Sequence, residues 1–224
     1  MKKFLLLLFC IFPFSVLASS TEMVDADLTP KAKSSILIEA STGKVLYEKN
    51  SHEKLAPASM TKIMSMLIII EHIESGALKW DDLVTVSENA SSMGGSQILL
   101  ETGEQMSVED LFKGVAVGSG NDAVVALAEA VSGSVDSFVE LMNNKVKELG
   151  LNDTMFQNPH GLDQENHYSS AYDMVMIGRE LVKHEKVLSF TSIYEDYLRK
   201  GTKREFWLVN TNKVVYKFYN NRLL

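Results

Sequence analysis

The sequence is poor in cysteine and has no excess of positive charge, and each shortage excludes a class of protein. A single cysteine among 224 residues rules out a disulfide framework and a zinc site built from several cysteines. The formal net charge of −7 argues against the broadly basic nucleic-acid binders, so no nucleic-acid partner is expected. The hydrophobic fraction of 46% is enough for a packed core and argues against wholesale disorder.

Two familiar hydrolase motifs are also absent. The five histidines are scattered and none lies in a His-Glu-x-x-His motif, so no metal site is expected. There is no Gly-x-Ser-x-Gly elbow, which leaves an α/β-hydrolase triad without support. His160, in the word NPHGLD, is interpreted as a residue that structures a loop rather than as a base.

The first 18 residues have the three parts of a secretory signal peptide. Lys2 and Lys3 precede an apolar run over residues 4–16, and Val16 and Ala18 form a small-residue cleavage site. The apolar run is shorter than the roughly 20 residues that a membrane-spanning helix needs. We therefore expect residues 1–18 to be removed and the protein to be exported to the cell envelope. An uncleaved membrane anchor is the alternative.

The mature chain that such cleavage would leave contains no cysteine, because Cys10 lies inside the apolar run. Thiol catalysis is therefore excluded, and the exported protein would depend on packing rather than on disulfides for its stability. Residues 19–33 are polar and are expected to form a flexible lead-in. No membrane anchor is evident once the signal has been cut.

The order of the predicted elements favours an α+β fold. Two β-rich runs, residues 34–40 and 45–50, flank the turn-like Ser-Thr-Gly-Lys and predict a hairpin. Residues 59–75 are apolar on nearly all sides, which is typical of a buried helix. Four more helices and two β-rich runs follow without βαβ alternation: helices at 107–118, 123–131, 138–149 and 171–184, and strands at 189–198 and 206–209.

The chemical hypothesis most worth testing is a serine nucleophile with a lysine base in a Ser-x-x-Lys motif. Residues three apart on a helix share a face, so the lysine can reach the serine hydroxyl. Burial would lower the lysine pKa until a neutral amine can accept the proton. The motif occurs three times, as Ser41/Lys44, Ser51/Lys54 and Ser59/Lys62.

Context distinguishes the three copies of this motif. The first lies in the hairpin turn and the second in a charged loop, whereas Ser59 opens the long apolar helix. At a helix N-terminus the free N–H groups and the helix dipole favour negative charge on the serine. The alternative is that Ser59 is an ordinary N-cap and that Lys62 extends its charge into solvent, and the motif alone leaves this open.

A second candidate element is Ser119-Gly120-Asn121, which lies at the junction of two predicted helices. Side chains at such a junction can project into a cleft. A rival Ser-x-Asn, formed by Ser87 and Asn89, sits in a polar stretch without comparable context. The alternative interpretation of Ser119 is a helix cap.

Several longer segments of the sequence match segments typical of one protein family. They are PASMTK before the apolar helix, SVEDLFKGVAVGSGNDA, NPHGLD, EASTGKVLYEKN and SSAYDM. In order, spacing and flanking residues they resemble the serine D-alanyl-D-alanine carboxypeptidases, which are low-molecular-mass penicillin-binding proteins of the class A β-lactamase superfamily. The resemblance runs from about residue 31 to residue 217. It implies a β-lactamase/transpeptidase-like fold, with a helical cluster against an antiparallel sheet.

The resemblance also implies a role for each candidate residue. Ser59 would attack the peptide bond between the two terminal D-alanines of a peptidoglycan stem peptide, with Lys62 as the general base. Ser119 would relay a proton to the leaving nitrogen, and Asn121 would bind substrate or Lys62. The backbone N–H of Ser59 would be one oxyanion donor. β-Lactams would acylate the same serine, and neither a metal nor an organic cofactor is implied.

One motif of the family is missing from the sequence. Lys-[Ser/Thr]-Gly, which in the family holds the substrate carboxylate, occurs nowhere, although residues 209–220 resemble the stretch that precedes it. We therefore expect residues 34–224 to be an incomplete peptidase domain that lacks the C-terminal sheet strands. The hairpin would then present an unpaired edge. This chain would be weakly active or inactive, because a carboxylate clamp and an oxyanion donor would be lost.

Two alternatives to the carboxypeptidase are kept open. A β-lactamase would turn nitrocefin over rapidly, whereas a long-lived penicilloyl adduct would exclude it. A non-catalytic remnant, or a binding module for stem peptides, would bind a D-Ala-D-Ala peptide without releasing D-alanine. The missing Lys-[Ser/Thr]-Gly motif favours this second alternative.

Overall fold

The computed structural model describes residues 27–215, and its elements confirm the α+β class. The signal peptide predicted for residues 1–18 lies outside the described residues, as do residues 19–26 of the predicted lead-in. Residues 216–220, the end of the stretch that resembles the approach to the third family motif, also lie outside them.

The elements alternate between short strands and longer helices. The strands are β1 Ser35–Ile38, β2 Val45–Lys49, β3 Leu83–Thr85, β4 Gln105–Ser107, β5 Glu195–Leu198 and β6 Phe206–Val209. The α-helices are α1 Thr61–Glu74, α2 Glu88–Ser91, α3 Val108–Gly118, α4 Asn121–Ser132, α5 Val135–Glu148, α6 Ala171–Leu181 and α7 Glu185–Thr191. The 3-10 turn Ala58–Met60 directly precedes α1.

The described strands form three antiparallel pairs, β1 with β2, β3 with β4, and β5 with β6. The first pair is the predicted hairpin, and its turn is closed by the Glu39 carboxylate, which accepts hydrogen bonds from Ser41 and Thr42. The expected single sheet is therefore represented here by three separate pairs. The pairs also differ in the helices they contact: β1 packs on α6, whereas β6 packs on α3.

Helix α1 is a core element, as its uniform hydropathy predicts. Residues 64–70 are all buried, and the helix contacts α3, α4, α5 and α6. Along residues 64–70 the helix has no amphipathic face, because none of its sides meets bulk water there, whereas Glu74 in its last turn is exposed. Its N-terminal turn is consequently held by the whole helical cluster.

A cluster of three aromatic side chains packs α3 against α7. Trp80, Phe112 and Phe190 lie with ring centroids 5.3 to 5.4 Å apart, in tilted and edge-on arrangements that aromatic rings favour. Phe112 is fully buried. This contact fixes the helix whose C-terminal end carries Ser119.

The structure corrects one strand prediction and adjusts several helix limits. The strand expected over residues 189–198 is wrong in its first part, because residues up to Thr191 belong to α7. Val187 and Phe190 are three apart and both buried, so helical spacing outweighs the β-rich composition. The predicted helices at 123–131 and 138–149 begin earlier, at Asn121 and Val135, and the helix predicted to end at 184 ends at Leu181.

Candidate active site

Ser59 lies in the 3-10 turn that leads into α1, exposed to solvent, while Lys62 lies one turn further on with 3% of its surface exposed. The Lys62 Nζ donates to the Ser59 Oγ over 3.3 Å. Ala58, just before the serine, has a φ of 48°, in the left-handed region that residues other than glycine seldom adopt. The predicted pairing of these two side chains is thus present, with the serine on the accessible side.

The lysine is held by one further hydrogen bond. Its Nζ donates to the backbone carbonyl oxygen of His160 over 2.7 Å. Burial lowers the pKa of Lys62 to about 8, because an ammonium loses hydration inside the protein. At that pKa a usable fraction of the side chain is a neutral amine near neutral pH, as a general base requires.

The loop that contains NPHGLD packs directly under the serine turn. The Asn158 Oδ1 accepts hydrogen bonds from the backbone N–H of Gly161 over 2.7 Å, and the Ser65 hydroxyl donates to the Pro159 carbonyl over 2.7 Å. A Cβ placed on Gly161 would lie 1.8 Å from the carbonyl oxygen of Ala58. Only glycine permits this approach, so the loop and the turn fix each other.

The two histidines near the site, His160 and His167, form hydrogen bonds that stabilise the surrounding loop and turn. The His167 Nδ1 accepts from the backbone N–H of Gln157 over 2.9 Å, so its Nε2–H donates to the Thr61 hydroxyl at 2.9 Å. Burial lowers the pKa of His167, which favours this neutral form. Burial, followed by the nearby charge of Lys62, lowers the pKa of His160 to about 4. The His160 Nδ1 accepts from the backbone N–H of Leu162, a contact that suits the loop role predicted for it.

Ser119 terminates α3 at the junction with α4. Its backbone is left-handed, with φ 57° and ψ 33°, and its N–H donates to the Val115 carbonyl over 3.0 Å. The side chain is half-buried. A left-handed residue at a helix end is usually glycine, so a serine here is held by its surroundings.

Asn121 begins α4 and is 3% exposed. Its Nδ2 donates to the Gly94 carbonyl over 2.7 Å, and its backbone N–H donates to the Ser96 carbonyl over 2.7 Å. Its Oδ1 is the one buried side-chain polar atom of the described residues without a hydrogen-bond partner. A buried acceptor without a hydrogen-bond partner is costly. Within the described part of the chain, no hydrogen bond joins Ser119 or Asn121 to the Ser59–Lys62 pair.

The rival serines have other partners. The Ser41 hydroxyl donates to Glu39, and the Ser51 hydroxyl donates to Glu48 over 2.7 Å. The Ser87 hydroxyl accepts the backbone N–H of Ala90 as the N-cap of α2. These contacts are those of turns and caps.

Sequence reasoning missed the buried contacts that support the site. Asn158, His167 and the loop at residues 94–100 were not singled out, although two of them lie in or beside the word NPHGLD. Two of the contacts join segments more than 100 residues apart: His167 with Thr61, at a separation of 106, and Arg199 with Ile98, at a separation of 101. In the part of the chain that the structure describes, no three His, Cys, Asp or Glu side chains cluster in a way that could hold a metal ion. Across residues 27–215 no helix has both the length and the apolarity to cross a bilayer.

Comparisons with known proteins agree with the site. The sequence profile of the D-alanyl-D-alanine carboxypeptidase family matches residues 20–223. The chain is 59% identical to the D-alanyl-D-alanine carboxypeptidase DacF of Bacillus subtilis strain 168 over 194 residues, which cover 87% of this chain and 50% of that protein. It is 43% identical to DacA of Escherichia coli K12 over 171 residues, covering 74% of this chain and 42% of DacA.

Solved structures give the same result. Penicillin-binding protein 5 of Haemophilus influenzae superposes with a TM-score of 0.78 at 35% identity, covering 84% of this chain and 54% of that chain. Penicillin-binding protein 6B of Escherichia coli gives a TM-score of 0.77 at 35% identity, with coverages of 83% and 59%. The chain spans about half the length of the curated relatives it matches. With its fold, its Ser-x-x-Lys geometry and these likenesses in agreement, the chain belongs to the D-alanyl-D-alanine carboxypeptidase family.

Proposed function

We propose that the protein is a serine-type D-Ala-D-Ala carboxypeptidase that shortens peptidoglycan stem peptides through an acyl-enzyme on Ser59. The observation that carries this proposal is the contact of 3.3 Å between the Lys62 Nζ and the hydroxyl of Ser59. Its setting within a family of such enzymes supports the same chemistry. Neither a metal nor an organic cofactor is needed for it.

The reaction begins with proton transfer between the paired side chains. Lys62 in its neutral form takes the proton of the Ser59 hydroxyl, and the oxygen attacks the carbonyl carbon between the two D-alanines. The His160 carbonyl holds the resulting ammonium in place over 2.7 Å. The backbone N–H of Ser59 donates to the oxyanion that develops.

The second half of the reaction releases both products. Ser119 relays the proton from Lys62 to the leaving nitrogen, so that D-alanine departs as a neutral amine and the acyl-enzyme remains. Asn121 binds the peptide beside the reacting bond. Water then attacks the ester, which releases the shortened stem and restores the serine hydroxyl. β-Lactams would acylate the same serine and leave it slowly.

The same proposal places the protein outside the cytoplasm. Residues 1–18 would direct export, and residues 34–224 would belong to the peptidase domain in the cell envelope. Its substrate, the stem peptide, is found there.

The test uses the purified chain with a labelled penicillin and with a diacylated Lys-D-Ala-D-Ala peptide. We expect slow formation of one penicilloyl adduct on Ser59 by peptide mass mapping, and slow release of D-alanine from the peptide, because the chain lacks the Lys-[Ser/Thr]-Gly motif. The variant Ser59→Ala should lose both, whereas Ser41→Ala, which alters another Ser-x-x-Lys serine, should retain them.

Three outcomes would contradict this proposal. Peptide binding without release of D-alanine would indicate a stem-peptide-binding module. Rapid turnover of nitrocefin without a lasting adduct would indicate a β-lactamase. An adduct that persists in Ser59→Ala would show that another residue is the nucleophile.

A further inference from the structure

Residues 94–100, which we call the strap, lie between α2 and β4 and are bonded to the segment that carries Asn121. Gly94 and Ser96 of the strap provide the carbonyl oxygens that accept the side-chain and backbone N–H groups of Asn121, each over 2.7 Å. Leu99, also in the strap, has a φ of 57°. A non-glycine residue keeps such a conformation only where its surroundings impose it.

One of these surroundings is the Asp122 carboxylate. It is 1% exposed and accepts the backbone N–H groups of Ile98 over 3.0 Å and of Leu100 over 3.0 Å, as well as that of Ala123 over 2.8 Å. A buried carboxylate is costly unless hydrogen bonds replace its hydration, so these contacts are strongly favoured. Asp122, the residue next to Asn121, thus holds the strap through buried hydrogen bonds.

Two arginines also hold the strap, by donating hydrogen bonds to its backbone carbonyl groups. Arg199, at the end of β5, donates to the Ile98 carbonyl over 3.0 Å, and Arg204, just before β6, donates to the Leu99 carbonyl over 2.6 Å. Both guanidinium groups also pair with Glu104, which orients them, over 2.5 Å and 2.8 Å. Arg199 is 9% exposed in its side chain. The strap is therefore held by hydrogen bonds both to the start of α4 and to the arginines of the β5–β6 pair.

We propose that Asp122, Arg199 and Arg204 are positioning residues for the carboxypeptidase reaction, which hold the strap so that the Gly94 carbonyl fixes the side-chain amide of Asn121. The proposal rests on the function proposed above. Because Gly94 accepts from the Nδ2, the Oδ1 of Asn121 is the end left without a partner. A strap displaced by about 1 Å would release this amide, and misplacements of that size near a reacting group can cost about 100-fold in rate.

The test compares arginines that make the same kind of contact in different places. Arg204→Gln and Arg199→Gln remove guanidinium bonds to strap carbonyls. Arg179→Gln is the matched control, since Arg179 donates to the carbonyls of Ala40 over 2.7 Å and Ser41 over 2.8 Å, in the β1–β2 turn. All three changes remove bonds between an arginine and backbone carbonyls, and only the first two touch the strap.

Two measurements on folded protein are made for each variant. Hydrogen exchange at Ile98, Leu100 and Asn121 should be faster in Arg199→Gln and Arg204→Gln and unchanged in Arg179→Gln. The plateau rate of acylation by a labelled penicillin should fall about 10-fold or more in the strap variants only. The pH midpoint of acylation should stay where Lys62 sets it, because the lysine is not part of the strap. Asp122→Asn should behave as the strap variants do, if it folds.

The possible results are distinguishable. If the unmodified chain is acylated and the strap variants react as fast as Arg179→Gln, the positioning role is wrong. If the unmodified chain is not acylated at all, the proposed function fails. The positioning role then fails with it, and hydrogen exchange tests only the contact: faster exchange at Asn121 in the strap variants shows that the arginines hold the strap, and unchanged exchange shows that they do not.

Discussion

At the scale of single residues, the character of the site depends on how Lys62 is buried. The Ser-x-x-Lys spacing exists in three places in the sequence, yet in two of them the serine hydroxyl donates to a glutamate instead, Ser41 to Glu39 and Ser51 to Glu48. Lys62 differs because its side chain lies beneath the serine turn, where loss of hydration lowers its pKa to about 8. Spacing alone therefore proposes the pair, and burial decides which copy can perform base chemistry.

This burial predicts how acylation depends on pH. In the proposed reaction the neutral amine is the active form, so the acylation rate of Ser59 should rise with pH and level off above a midpoint of about 8. Near pH 7, roughly a tenth of the lysine would be neutral. Stopped-flow measurement with a chromogenic β-lactam between pH 6 and pH 10 checks this. A rate that is constant across the range would contradict the assignment of Lys62 as the base.

Lys62→Arg provides the control for the same prediction. A guanidinium stays protonated throughout this range and cannot accept the serine proton, so acylation should be lost while the charge is retained. Circular dichroism should show that the variant keeps its helices. Acylation at the rate of the unmodified chain would assign the base role to another group.

Gly161 supplies a second prediction at this scale. In Gly161→Ala the new Cβ would meet the Ala58 carbonyl at 1.8 Å, with an unfavourable φ of 89°. We expect a loss of about 3 kcal/mol or more in the free energy of unfolding, together with slower acylation, because the serine turn must move. Gly133→Ala is the matched control, with a φ of 81° and no atom within 4 Å of the new Cβ. It should cost only about 1 kcal/mol.

At the scale of elements, serine caps mark the starts of three helices, one of which periodicity placed too late. The hydroxyls of Ser107, Ser134 and Ser170 accept the backbone N–H of Asp110, Ser137 and Asp173 at the starts of α3, α5 and α6. Ser134 caps α5 so that the helix starts at Val135, ahead of the start predicted at residue 138. Caps act on the unpaired N–H groups of a first turn, which the hydrophobic pattern does not report.

The cap of α3 leads to a prediction that separates stability from activity. Ser107→Ala should lower the free energy of unfolding by about 1 kcal/mol. Acylation by folded protein should be unchanged, since Ser119 lies at the other end of the helix, about 16 Å away for 11 residues. Urea unfolding and acylation kinetics measured on the same preparation check both parts. A large fall in acylation at full folding would show that the cap contributes to the site.

At the scale of the whole molecule, the helices and the strand pairs from Lys31 onward belong to one compact unit. Contacts between α3 and β6, and between α1 and α6, connect distant parts of the sequence. A unit of this kind is expected to unfold in one cooperative transition. Trp80 reports on the helical cluster and Trp207 on the β5–β6 pair, and they are the two tryptophans of the sequence.

Two single-tryptophan variants test this cooperativity. In Trp207→Phe the remaining fluorescence comes from Trp80, and in Trp80→Phe it comes from Trp207. Within each variant, the urea midpoint from fluorescence should coincide with that from helical circular dichroism. Separate midpoints in Trp80→Phe would mean that the β5–β6 pair unfolds independently, and the arginine clamp on the strap would then be a weaker contact than its distances indicate.

The family was recognised from the resemblance of whole segments of the sequence. Local patterns in the sequence further predicted the α+β class, the hairpin and the buried α1, and they proposed Ser59 and Lys62 as one of three possible pairs. These predictions rest on patterns within one continuous segment of the chain, such as hydrophobic periodicity and the three-residue spacing on a helix. The loss of hydration at Lys62, the close approach of Gly161 to Ala58, and the strap held by Asp122 and two arginines were decided only by the tertiary structure. Each of these joins segments far apart in the chain, and burial and hydrogen bonding between such segments exist only after the core has packed around α1.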